Sequence, residues 1–235
     1  MFYKVLLGSA LVFACASAQA GAADFSGLNL HLYGGYGAAE YNAQTNSSAN
    51  NLGDRVRLDD QERIQHEATF AIGHNWNLAP RVVTGIELGA STLTAEDRGN
   101  SASESWSTYT KLQVRRLAHL KGKFGYQMND FLPYVTAGVS DARVRLKVFS
   151  ENNSANAAVF RQTLETKGMN LGAGVEWMSD MGISLSLDGS KHTFSKGYTF
   201  KRSFLEDQGG TVDEGDFFRV NSIWVVHAGI GYTFS

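Results

Sequence analysis

Cysteine is nearly absent: Cys15 is the only one among 235 residues. That excludes an intramolecular disulfide and any multi-cysteine metal site. Proline is almost as scarce, with only Pro80 and Pro133, so long segments can pair without losing backbone donors. Charge of one sign is missing too. The 21 basic and 23 acidic residues nearly cancel, and no basic stripe marks a nucleic-acid surface. The six histidines show no H-E-x-x-H spacing or similar ligand pattern. Beyond residue 20 no uncharged apolar run approaches the roughly 20 residues that a spanning helix requires. Any membrane crossing in the body of the chain must therefore use strands.

The first twenty residues read as a targeting segment. Lys4 is followed by an uncharged stretch from Val5 to Ala14, and Ala18-Gln19-Ala20 supplies a small-x-small cleavage pattern. Cleavage is expected after Ala20, with Gly21 as the mature N terminus. Residues 1–20 are then a signal peptide and residues 21–235 a single domain. Val12-Phe13-Ala14-Cys15 offers a rival, lipoprotein-like reading, in which Phe13 fits poorly. Without its first twenty residues, which hold Lys4 and no acid, the chain keeps 20 basic and 23 acidic residues.

What is abundant is alternation. Trp224, Val226, Ala228, Ile230, Tyr232 and Phe234 occupy one face of a strand, opposite Val225, His227, Gly229, Gly231 and Thr233. The same period of two runs through Leu28–Ala38, Gln65–Trp76, Val82–Ser91, Ala118–Tyr126, Val135–Val148, Asn170–Trp177 and Ile183–Asp188, giving eight strands. In the fifth, the apolar parity moves from Val135, Ala137 and Val139 to Val144, Leu146 and Val148. A bulge is therefore expected near Ser140 to Ala142. Short connections at Asn77–Pro80, Gln127–Phe131 and Met178–Gly182 alternate with long polar ones at about 44–62, 92–108, 149–165 and 193–218. The pattern predicts an all-β fold: an eight-stranded antiparallel up-and-down transmembrane β-barrel with short periplasmic turns and four long extracellular loops. A soluble barrel would put its large aliphatics inside, and here the opposite face carries Gly, Ser, Thr and charge. Tyr36, Trp76, Phe124, Tyr126, Trp177, Trp224, Tyr232 and Phe234 fall toward strand ends as interfacial girdles would.

Parity sends Glu87, Lys121, Lys123, Glu176, Asp188, His31, His119 and His227 inward. Two inward carboxylates permit acid–base chemistry in principle. A narrow eight-strand barrel has room for little beyond side chains, so a structural polar network is the expected reading. Counted from the shared short-turn rim, Glu87 should face Lys121 or Lys123. His31 and His227 lie on strands that closure makes neighbours, which suggests a water-bridged pair or a two-histidine metal site. His192-Thr193-Phe194-Ser195 raises lipid deacylation, a reaction that needs a serine within reach of a base. Gly209-Gly210 lacks the strand-to-helix context of a phosphate cradle.

His74-Asn75-Trp76-Asn77, Gly85-Ile86-Glu87, Gly125-Tyr126, Leu132-Pro133-Tyr134-Val135-Thr136-Ala137-Gly138-Val139, Gly172-Ala173-Gly174-Val175-Glu176 and Gly229-Ile230-Gly231-Tyr232-Thr233-Phe234 stand in an order that resembles the porin-family, opacity-type small outer-membrane β-barrel proteins. Such chains usually end on the terminal aromatic, whereas Ser235 follows Phe234 here. The resemblance implies a bacterial outer-membrane location and a non-enzymatic, envelope-structural or surface-interaction (adhesin-like) role without cofactor or metal. Its implied partners are outer-membrane lipid and lipopolysaccharide, with a host or surface ligand at the loops, no nucleic acid, and a monomeric state. A narrow passive channel and a lipid A-modifying enzyme are the alternatives.

Overall fold

The computed structural model describes residues 23–46, 55–58, 64–94, 99–103, 106–150, 158–195, 197–199 and 217–234. The expected signal segment and Gly209-Gly210 lie outside them, as does part of each long connection.

Eight long strands form the wall: β1 (Gly27–Asn46), β3 (Ile64–Ala79), β4 (Val82–Thr94), β6 (Trp106–Tyr126), β7 (Phe131–Ser150), β8 (Ala158–Met178), β9 (Ile183–Phe194) and β11 (Phe217–Phe234). Three short strands, β2 (Arg55–Leu58), β5 (Gly99–Ser103) and β10 (Gly197–Thr199), pair with β1, β6 and β11 beyond the loop-side rim. Each long strand pairs antiparallel with its sequence neighbour, and β11 returns to β1 with Leu28 opposite Phe234 and Tyr36 opposite Val226. The sheet is therefore a closed eight-stranded antiparallel barrel with no free edge in its wall.

The short turns share one rim. Pro80 and Arg81 join β3 to β4, and Arg81 takes a positive φ of 68° while its carbonyl accepts the Gln127 N–H at 2.7 Å. Asn129 at φ 55° turns β6 into β7, and Gly182 at φ 78° turns β8 into β9. Asn and Gly occupy the left-handed region with little strain, whereas Arg81 gains nothing from its side chain there.

Alternation sets what each wall face meets. On β7, Val135, Ala137 and Val139 point outward while Tyr134, Thr136 and Ser140 are buried within. Leu32, Leu88, Leu120, Val139, Met169 and Leu171 are large aliphatics left exposed on the outside, which only a lipid surround makes favourable. Tyr36, Trp76, Phe124, Tyr126, Trp224, Tyr232 and Phe234 are exposed on the same surface, with Trp177 half-buried.

Two expectations need correction. The bulge expected near Ser140 to Ala142 is not there: β7 pairs without slippage from Tyr134 to Arg143 against β8, and from Tyr134 to Arg143 against β6. Parity never changes. What changes is the surroundings: above Val139 the outward residues become Asp141, Arg143 and Arg145, while Ala142 and Val144 are buried inside. The wall continues past the bilayer as a collar with water outside and an apolar interior. For the same reason the long connections are shorter than expected: β7 runs to Ser150, β8 starts at Ala158 and β6 at Trp106. Strands of 20 and 21 residues are about twice the 9–11 needed to cross a bilayer.

Candidate functional site

Inside the barrel three layers succeed one another from the short-turn rim. The first is apolar. Residues 23–26 fold back beneath the wall, burying Ala23 and Phe25 against Val83, Leu132, Tyr134 and Met178. Side-chain amides tie this strap down: Asn75 Nδ2 donates to the Phe25 carbonyl at 3.1 Å, Gln127 Nε2 to the Ala23 carbonyl at 2.5 Å, and Asn77 Nδ2 to Asp24 at 3.2 Å.

The second layer holds the polar groups. All eight residues expected to face inward lie inside, and seven of them are buried while Glu87 is partly so. Glu87 sits directly across from Lys121 in the β4–β6 register. Its Oε1 lies 3.7 Å from Lys121 Nζ and 3.3 Å from His119 Nε2, while Tyr33 Oη donates to Oε2 at 3.2 Å. Lys123 does not join that carboxylate: its Nζ meets Glu176 Oε2 at 2.9 Å and lies 4.5 Å from the Tyr134 ring centroid. Lys121 also reaches Asp188 at 3.7 Å, and Asp188 in turn meets His227 Nε2 at 2.9 Å.

His31 and His227 form neither a bridged pair nor a metal pair. The Tyr33 ring lies between them, stacked on His31 at 5.5 Å and tilted against His227 at 4.7 Å. Each imidazole faces its own carboxylate, His31 toward Glu176 at 3.8 Å and His227 toward Asp188. Gly229 and Gly231 make this possible: a Cβ on either would collide with the Tyr33 or His31 ring. Among the described residues no three His, Asp or Glu groups converge as a metal ion requires.

Four participants escaped the sequence reading. Glu67 is buried, 3.8 Å from His227 Nδ1 and bonded to Thr69 at 2.9 Å; its parity with Thr69 and Ala71 carried the signal. His192 shares parity with Asp188 and is held by Ser140 at 2.7 Å and Ser190 at 3.1 Å. The phenols of Tyr33 and Tyr134 each donate to a carboxylate, which no spacing rule reveals. The placement of His192 also bears on deacylation. His192 is buried in the lumen, whereas Ser195 lies exposed past the end of β9, so the two do not form a nucleophile–base pair.

The third layer, toward the loops, is apolar again. Ala39, Val114, Leu117, Ala142, Val144, Phe194, Val220 and Ile223 are buried there, together with Thr166 and with Ser222, which donates to Glu40. The network of four carboxylates, two lysines and four imidazoles thus lies between two layers rich in buried apolar side chains. Such groups stay inside only because each finds a partner.

A closed antiparallel barrel with an aliphatic outer band, aromatic girdles and a polar interior is the architecture of bacterial outer-membrane proteins. Residues 8–234 match the family described as outer membrane protein beta-barrel domain, and the chain belongs to it. That family is one of the bacterial outer membrane. Comparison with the curated proteins gives no match. Among solved structures the chain is similar to Ail, the attachment invasion locus protein of Yersinia pestis, with 10% identity over 88% of this chain and 100% of that one and a TM-score of 0.39. It is similar to OprG of Pseudomonas aeruginosa (13% identity, 89% of this chain, 98% of that one, TM-score 0.45). A third is the outer membrane protease OmpT of Escherichia coli (11% identity, 93% of this chain, 99% of that one, TM-score 0.45). These differ in role, and likeness at this level transfers none of their activities.

Proposed function

We propose that the mature protein, beginning at Gly21, is a non-enzymatic outer-membrane barrel that serves the envelope structurally or as a surface-interaction protein through its outer loops. The observation that supports this most is the layered lumen. Among the described residues, ion-paired side chains lie between two layers rich in buried apolar groups, which supports a closed lumen in which interaction with anything outside falls to the collar and loops. The interior charges then act as a structural network that cross-links facing walls: Lys123 on β6 to Glu176 on β8, and Lys121 on β6 to Asp188 on β9.

Recordings in planar lipid bilayers test the reading directly. The purified barrel should produce no steady conductance steps, and a stable open level would instead favour the narrow channel. Mass spectrometry of lipid A from cells with and without the protein should give identical acylation, a missing acyl chain being the mark of an enzyme. A binding screen comparing the full chain with versions shortened within 44–62, 92–108, 149–165 or 193–218 then assigns any surface ligand to a loop.

A further inference from the structure

On the outer face of the collar, over β6, β7 and β8, the register stacks charge directly on the lipid band. Leu120, Val139 and Met169 form one outward row, all of them exposed. One step toward the loops the row is Ala118, Asp141 and Lys167, and one step further Arg116, Arg143 and Glu165. The change from aliphatic to ionic thus occurs within a single strand repeat on β7 and β8 and within two on β6.

The local backbone adds to the cation count. β6 bulges between Val114 and Arg116, so Arg115 and Arg116 are both exposed while Val114 and Leu117 are both buried. A regular strand would have turned one arginine inward. Arg116 and Arg143 stand directly opposite each other, a like-charge pairing that is ordinarily unfavourable. Each is offset by one acid: Arg116 meets Asp141 at 2.9 Å, and Arg143 pairs with Glu165. Arg115, Arg145 and Lys167 have no acidic partner among the described residues. The patch therefore sets five cations against two carboxylates.

The geometry points to a binding surface for the phosphorylated headgroup of an outer-leaflet glycolipid, lipopolysaccharide, whose acyl chains would lie on the Leu120, Val139 and Met169 row. Two features select this occupant over a soluble anion. The cations begin where the hydrocarbon band ends, at the height where a lipid carries its phosphates. Guanidinium, the commonest group here, binds phosphate in a bidentate fork. The inference rests on the outer-membrane placement of the barrel and is independent of what the lumen does.

The test uses the full barrel in detergent and lipopolysaccharide with bis-phosphorylated lipid A as the probe, with binding followed by native mass spectrometry or calorimetry. The wild type should bind this lipid and bind its dephosphorylated form much more weakly. The variant Arg115→Gln, Arg145→Gln, Lys167→Gln should lose about a hundredfold in affinity, roughly fivefold per cation near an anionic surface. Arg115→Lys, Arg145→Lys, Lys167→Arg, which keeps the charge, should retain most of it. Heat-dependent gel mobility checks that each variant is folded, and all three positions are solvent-facing. Equal binding of dephosphorylated lipid, undiminished binding by the glutamine variant, or preference for inorganic pyrophosphate or a soluble acidic polysaccharide would each overturn the assignment.

Discussion

Glu87 shows how a buried charge in this barrel is held. It has a lysine directly opposite, an imidazole at 3.3 Å and a phenol at 3.2 Å. Removing one partner of such an ion pair costs about 3–5 kcal/mol, whereas replacing both by apolar groups can be nearly neutral. Glu87→Ala should therefore lower stability in urea titrations in lipid vesicles by an amount in that range. The double variant Glu87→Leu, Lys121→Leu should recover much of the loss, because Asp188 keeps His227 at 2.9 Å. Adding Lys123→Leu should cost stability again by orphaning Glu176. If the triple variant were as stable as the double, Lys123–Glu176 would not be an independent pair. Parity alone placed these residues inside. It did not distinguish Lys121 from Lys123 as the partner of Glu87, because both share a face and differ by one repeat. That choice depends on the register between β4 and β6, which no local pattern encodes.

At the scale of elements, eight strands and three short turns were legible because lipid on one side and a packed lumen on the other impose a strict period of two. The collar was misread for the same physical reason. Alternation tells which residues share a face and leaves open what that face meets; when lipid gives way to water, apolar side chains move to the inner face with no change in the backbone. Val144 inside and Arg143 outside thus imitate a bulge in β7. A bulge that does occur, at Arg115 in β6, was hidden in a polar stretch with no apolar rhythm. Arg115 is the extra residue of that bulge, so deleting it should leave a regular strand with Val114 still inward opposite Val144 and Arg116 still outward opposite Arg143. With Val114→Cys as reporter, a membrane-impermeant thiol reagent should spare both the deletion variant and the otherwise wild-type background; labelling of the deletion variant alone would mean that β6 had slid by one residue. The strap of residues 23–26 is a second element that sequence did not reveal, since Phe25 has no periodic partner. Phe25 is fully buried, and Phe25→Ala should cost about 3–5 kcal/mol. The Asp24 carboxyl is held below its ordinary value of 3.8 by the Ser26 hydroxyl, at 2.7 Å, and by the Ser26 amide. A lowered carboxyl favours the docked strap at all pH values above its unfolded range. That contribution is lost only as pH falls through the folded value, so the protection of the Ser26 amide against hydrogen exchange should be constant near neutrality and fall in acid. Asp24→Asn should abolish the acid-dependent step; a wild-type step near neutral pH would point to another group.

For the molecule as a whole, the proposed structural role gives conduction three barriers in series, and they differ in kind. The strap closes the short-turn mouth with hydrocarbon. The ion pairs of the middle layer link opposite walls across a barrel that is only wide enough for side chains. The collar interior, from Val114 and Leu117 to Phe194 and Ile223, closes the loop side with hydrocarbon again. An ion entering either apolar layer must leave water without gaining a ligand, in the middle layer it must compete with ion pairs already formed, and opening one barrier leaves the others intact. The wild type, Phe25→Ala and Phe194→Ala should therefore all be silent in single-channel recordings, although Phe25→Ala is less stable. Glu87→Ala should be silent too, because Lys123–Glu176 and both apolar layers persist. A steady current from Phe25→Ala alone would mean that the strap is the sole barrier and the middle layer a hydrated path. A steady current from Glu87→Ala at unchanged stability would make that residue a gate, and in either case the channel would replace the structural reading.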